Sequence, residues 1–314
     1  MSGPTQFSLL SQNVIKTLLY YDLFQYPLKA DEVFQNLQAD HVTQEEVSRE
    51  LTRLVQSQFL FQAGEFFSLH HEMSLINRRI AGNEMARGYF RIARRRARWI
   101  YRFPFVRAVM ISGSLSKNYA DQETDIDFFV VTAPRRLWIA RTLLVLFKRI
   151  FLFNSHKYFC VNYFVDEEHL EIEEKNLYTA TELMTLVPLE GLDIYRKLIR
   201  ENAWSTGFLP HAKEKSCLFP AGNRRHGRLK VLAEDILSSS LGRWLEERFM
   251  SLSKARWQKI YGRKVTRSDF EVSFKSTAHV SKNHPENYQR KVMDQYRRKL
   301  EELALRHTWK WSYE

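Results

Sequence analysis

Between residues 105 and 132 the chain switches abruptly between apolar and polar segments, and few folds can hold such a pattern. Phe105–Ser112 is a β-branched, apolar run that stops at Gly113-Ser114. Ten residues follow, Leu115 to Thr124, and then Asp125-Ile126-Asp127 opens a second apolar run ending at Thr132. Short apolar runs bounded by turn residues are buried strands. Tyr158–Val165 is a third run of the same kind. Leu115–Tyr119 has room for one helical turn. Leu137–Phe153, after Pro134, has room for a full helix. Strand, helix, strand, helix, strand predicts an α/β core in which helices pack on a sheet.

The flanks add helices, so the whole chain reads as α+β. Ser11–Phe24 and Ala30–Leu37 carry helical patterns. Thr43-Gln44-Glu45-Glu46 is a capping box, with a Thr hydroxyl at the N-cap and a carboxylate three residues on, and predicts a helix to about Gln58. Phe59–Gln62 and Phe66–Leu69 flank a turn at Ala63-Gly64-Glu65 and form a hairpin. Three helices and a hairpin resemble a winged helix-turn-helix module over residues 1–72. Its third helix carries Glu45, Glu46 and Glu50 against Arg49 and Arg53, and its wing carries Glu65. That balance repels phosphate and favours a structural or protein-docking role over reading DNA. Residues 73–104 form an arginine-rich connecting helix ended by Pro104, and residues 105–175 the core. Residues 176–314 form a mostly helical C-terminal region, with helical spacing over Leu177–Arg200, Leu229–Tyr261 and His284–Leu305 and a loop over Asn202–Arg225.

Charge is unevenly distributed. The net charge is +12, yet residues 1–70 hold four basic against eight acidic residues, a net of −4, which leaves +16 beyond residue 70. Arg87, Arg91, Arg94, Arg98 and Arg102 recur at helical spacing on one face. Such a stripe suits an acidic partner, including nucleic acid, or is simply a solvated face. The two cysteines, Cys160 and Cys217, cannot build a disulfide framework. Leu137–Phe153 is interrupted by Arg141, Lys148 and Arg149, and the start lacks a basic segment followed by an apolar one. A cytoplasmic protein without membrane contact is the expectation.

The chemistry concentrates where the apolar runs meet. On a strand, Asp125 and Asp127 lie on one side and Ile126 on the other. Paired carboxylates in an apolar run need a cation, and hard oxygen ligands suit Mg²⁺, which also bridges to phosphates. Gly113 lets a phosphate approach the backbone, Ser114 offers a hydroxyl, and the N–H groups of the next turn can cap an anion. The alternative for the pair is a strand cap plus an exposed edge residue.

Gly113-Ser114, ten residues, then Asp125-x-Asp127 resembles the signature of the DNA polymerase β-like nucleotidyltransferase superfamily, especially its minimal nucleotidyltransferase branch. Thr132–Leu144 and Cys160-Val-Asn-Tyr-Phe164 look like a bacterial group of such proteins. The resemblance implies a mixed sheet with flanking helices, Mg²⁺ held by Asp125 and Asp127, and a nucleoside triphosphate near Gly113 and Ser114. A substrate hydroxyl would attack the α-phosphate and release pyrophosphate. The acceptor, whether RNA, protein or small molecule, is not specified. The superfamily's third carboxylate falls here on Asn162, whose amide can ligate a metal but cannot act as a base. Asp166, Glu168 and Glu171 lie just beyond as substitutes. A catalytically inactive regulatory or binding protein of the same fold is therefore the alternative. Lys117, Arg135, Arg136 and Arg141 are candidates to neutralise a triphosphate, or solvated surface residues. His70-His71-Glu72 lacks zinc-helix spacing. Cys160 reads as packing, and Trp244, Trp257, Trp309 and Trp311 read as helix packing rather than base-stacking platforms.

Overall fold

A computed structural model describes residues 7–151, 157–215, 227–283 and 287–307. Cys217, Trp309 and Trp311 lie outside the described residues. The first elements are α1 (Leu9–Asp22), β1 (Leu28–Lys29), α2 (Ala30–Gln35), α3 (Gln44–Gln56), β2 (Phe61–Ala63) and β3 (Phe66–Ser68). The Thr43 hydroxyl accepts from Glu46 N–H, and Glu46 accepts from Thr43 N–H at 2.8 Å, so both halves of the capping box form. β1, β3 and β2 pair in that order as an antiparallel sheet.

The long helix α4 (Met73–Tyr101) follows. It buries Ile76, Arg79, Gly82, Ala86, Tyr89, Ala93, Ala97 and Ile100, a stripe at three- and four-residue spacing, while Arg87, Arg91 and Arg95 remain exposed. Then come β4 (Val106–Ile111), α5 (Gly113–Ser116), β5 (Asp127–Thr132), α6 (Leu137–Phe151), β6 (Cys160–Asp166), α7 (Leu177–Thr185), β7 (Val187–Glu190), α8 (Leu192–Glu201) and α9 (Ser205–Phe208). The chain continues with α10 (Arg228–Leu237), α11 (Ser240–Tyr261), α12 (Arg267–Ser273), β8 (Val280–Lys282) and α13 (Tyr288–His307). The fold is α+β.

The central sheet is mixed, in the order β7-β4-β5-β6-β8. β4 and β5 are antiparallel, β5 and β6 parallel, and β8 antiparallel to β6. Alternation along the strands builds two layers. Val109, Ile111, Phe128 and Val130 pack with Ala93 and Ile100 of α4 and Leu137 and Trp138 of α6. Ala108, Met110, Phe129 and Val131 pack on the other face with Leu183 of α7 and Tyr195 and Leu198 of α8. Arg141 and Lys148, which break up the apolar α6 sequence, are both buried, and the Arg141 guanidinium lies 4.6 Å from the Trp257 ring. Among the described residues no helix is long and apolar enough to cross a membrane.

The region after residue 176 is mostly helical, as expected, but it also supplies two strands of the central sheet. Pro188 cannot continue a helix, so the Leu177–Arg200 pattern breaks into α7, β7 and α8. β7 lies at a sheet edge, where a strand tolerates proline. β8 closes the opposite edge from more than a hundred residues away in sequence. The first 72 residues also do not bury a core alone. Val14, Ile15 and Leu18 share one cluster with Leu177, Ala180 and Met184 of α7 and with Val292 and Tyr296 of α13.

Candidate functional site

The β4–α5 corner meets the start of β5. Ser112 N–H donates to the Asp127 carbonyl at 3.0 Å. Gly113 adopts φ +68°, and a Cβ there would stand 2.7 Å from Asp127 Oδ2. Only glycine allows that carboxylate so close to the corner. Ser114 is exposed at the same corner. The corner therefore brings together Gly113, Ser114 and Asp127 as the sequence spacing anticipates.

Asp125 is placed differently. β5 begins at Asp127, so the two acids are not alternate residues of one strand. Ile126 between them is fully buried and bonds through its N–H to the Lys157 carbonyl and through its carbonyl to Cys160 N–H. Asp125 still lies within electrostatic reach of Asp127 and of Cys160. Burial pushes the Asp127 carboxyl up to about 7. A bond from the Cys160 thiol opposes the rise, Asp125 and Glu182 add to it, and Lys117 opposes it. The surroundings of Asp127 thus favour its neutral form unless further positive charge arrives.

The neighbour of Asp127 across the parallel ladder is Cys160. Asn162 occupies a bulge, because the register shifts between the pairs Phe128–Val161 and Phe129–Tyr163. Its amide donates to Cys160 Sγ at 2.8 Å. The third position of the anticipated carboxylate set is therefore filled by a thiol and an amide. Burial also raises the Cys160 thiol, with the Asp127 charge and hydrogen bond adding to it, so it stays protonated. Asp166 does not substitute. Asp166 pairs with Thr132, five residues along from Asp127, about 17 Å at 3.3 Å per residue. Glu171 is ion-paired to Lys175 at 2.7 Å.

The acidic residue that the fold does add is Glu182, on α7. Its Oε1 lies 2.8 Å from Lys117 Nζ, and Lys117 Nζ also donates to the Gly113 carbonyl at 3.2 Å. Glu182, Lys117 and the Gly113 carbonyl form a hydrogen-bonded chain at the corner, with Lys117 in electrostatic reach of Asp127. Lys148, buried on α6, lies within electrostatic reach of Asp125 and Cys160, and burial lowers its pKa. Nothing in the local sequence flags Glu182. It lies within a segment of helical spacing and reaches the corner only because Pro188 turns the chain into β7.

The corner is also held from outside. The Tyr26 hydroxyl donates to the Lys117 carbonyl, and the Arg78 guanidinium stacks 5.0 Å from the Tyr119 ring. Of the other phosphate candidates, Arg136 donates to the Ser238 carbonyl at 3.1 Å and Arg141 is buried against Trp257. Among the described residues neither hydrogen-bonds to the corner.

Compared with known proteins, the chain matches no family model, no curated protein and no solved structure.

Proposed function

We propose that the chain binds a magnesium nucleoside triphosphate at the Gly113–Asp127 corner and transfers its nucleoside monophosphate to a hydroxyl acceptor, in the manner of polymerase β-like nucleotidyltransferases. The observation that carries this reading is the Asp127 carboxyl, whose burial outweighs the Cys160 hydrogen bond and the Lys117 charge. It is desolvated beside Asp125 and faces a glycine that leaves its oxygen accessible from the corner. The mixed sheet, with β4 antiparallel to β5 and β5 parallel to β6, is compatible with the fold that the sequence signature implies.

The residues fit a hard divalent cation: Asp125 and Asp127 supply carboxylate oxygens, and no soft ligand is needed. When bound, Mg²⁺ would offset the charge of the phosphate oxygens. The chain's own residues do the rest. Gly113 leaves the approach open, Ser114 offers a hydroxyl donor, and Lys117 offers an ammonium that a polyphosphate can take from Glu182. Incubation with Mg²⁺ and labelled nucleoside triphosphates, alone and with RNA or lysate, tests the reading. Equal nucleotide binding and label transfer by wild type and Asp125→Ala/Asp127→Ala would defeat it.

The second reading is a nucleotide-binding protein without turnover. Cys160 opposite Asp127 and the inward-turned Asn162 amide favour it, because neither is a general base at neutral pH. Nucleotide binding that depends on Asp127, without transfer to any acceptor, would select it.

A further inference from the structure

The C-terminal end of β6 carries a second group of chemistry-bearing residues, at the opposite end of the strands from the Gly113 corner. Asp166 is 0 % exposed. His169 Nδ1 lies 2.8 Å from its Oδ1, and His279 Nδ1 lies 2.7 Å from its Oδ2. The two imidazoles stack at 3.5 Å between centroids, with 24° between planes. Their side chains are 48 % and 33 % exposed, so solvent reaches the pair while the carboxylate beneath stays dry.

Backbone contacts fix all three. Glu168 N–H donates to Asp166 Oδ1 at 3.1 Å, and Asp166 N–H donates to the His279 carbonyl at 3.0 Å. The turn that carries His279 is anchored by Thr277, whose carbonyl accepts from the Trp138 indole at 2.9 Å and whose hydroxyl accepts from His279 N–H. Among the described residues Asp166 pairs with no lysine or arginine. The nearby Glu246 carboxylate adds more negative charge, although Trp138 and Ile139 N–H groups hydrogen-bond to it. Two imidazoles and one backbone N–H hold Asp166 as the carboxylate, with its pKa below the ordinary value despite burial, so an anionic oxygen ligand and two ring nitrogens converge on one point.

The geometry points to a divalent transition-metal site formed by Asp166, His169 and His279. Two imidazole nitrogens and one carboxylate suit Zn²⁺, Co²⁺ or Ni²⁺ and do not suit Mg²⁺, which separates this site from the Asp125/Asp127 corner. Each imidazole would coordinate through Nδ1, giving up its Nδ1–H bond to Asp166 and carrying its proton on Nε2. Stacked rings aim their Nδ1 lone pairs nearly parallel, so one ring must swing for both to meet one ion. The half-exposed imidazoles have the space to do so. Open positions would be completed by water from the exposed side. Bound metal would fasten the β8 edge strand to β6, because His279 precedes β8 and Asp166 ends β6.

The full, metal-stripped chain titrated with Co²⁺ tests the proposal. One equivalent should bind with a visible d–d band, and Zn²⁺ should bleach it. His169→Phe and His279→Phe keep a stacked ring but remove the nitrogen. Each should weaken Co²⁺ binding by at least the about 10–100-fold that loss of a supporting ligand contact costs. Asp125→Ala/Asp127→Ala should leave the band intact. Absence of any band, unchanged affinity in both Phe variants, or loss of the band in the Asp125/Asp127 variant would each overturn the assignment. Should a Phe variant fail to fold, carbethoxylation mapped by mass spectrometry gives the answer in wild type. Zn²⁺ should protect His169 and His279 selectively, and equal modification with and without Zn²⁺ would equally overturn it.

Discussion

Replacing Asp127 by Asn separates the charge of the corner from its shape. In the folded chain the carboxyl is pushed up to about 7, mainly by burial, against 3.8 for an ordinary aspartate. The folded state therefore binds a proton that the unfolded state has released, between about pH 4 and pH 7. Stability associated with this group is fully present below 3.8 and is lost as pH rises through about 7. The full difference corresponds to about 4 kcal/mol. Asp127 keeps part of its surface in water, and screening should reduce the measured effect to about 1–3 kcal/mol. Asn keeps the volume and the acceptor oxygen for the Cys160 thiol but never ionises. Urea unfolding in EDTA should accordingly find Asp127→Asn more stable than wild type at pH 8.5 and indistinguishable from it near pH 4. Saturating Mg²⁺ should narrow the gap at pH 8.5 by stabilising wild type alone. A variant less stable than wild type at pH 8.5, or a wild type that gains stability through pH 7, would refute the account of a desolvated, cation-seeking carboxylate.

Three further outcomes follow from the same geometry. Gly113→Ala places a Cβ 2.7 Å from Asp127 Oδ2 at φ +68°, so it should abolish nucleotide binding in an equilibrium assay and cost about 1 kcal/mol or more in unfolding. Glu182→Gln removes the competitor for Lys117, so nucleotide should bind about two- to fivefold tighter, the range expected from one partly exposed ion pair; weaker binding would mean that Glu182 itself supports the cation. Gly82→Ala drives a Cβ into the Tyr119 ring, so overpacking of about 1–3 kcal/mol should outweigh the roughly 1 kcal/mol gain in helix propensity, and Gly82→Ala/Tyr119→Leu should recover most of the loss in thermal melts.

Local signals were the ones readable from sequence. The Thr43/Glu46 box, the aromatic hairpin and the apolar runs at 106–111 and 127–132 each specify their element through neighbours in the chain. The corner was readable for the same reason, because Gly113 and Asp127 are linked by one short excursion. Partners brought by tertiary structure were not. Cys160 opposes Asp127 only through the register of a parallel pair and a bulge at Asn162. Glu182 arrives on a helix whose end depends on Pro188. His279 meets Asp166 from 113 residues away. Alternation alone does not show where backbone pairing begins, so Asp125 reads as a strand residue although β5 starts at Asp127.

The placement of β8 has a consequence for assembly during synthesis. The sheet gains its last strand only when Val280–Lys282 has emerged, long after β4, β5 and β6, and α13 then covers α1 at the other end of the chain. A nascent chain halted before residue 280 exposes the outer backbone groups of β6 and the uncovered side of the first helix at once. Polypeptides interrupted there should be held by chaperones or cleared by proteases, and release from that state should coincide with translation of the final helix.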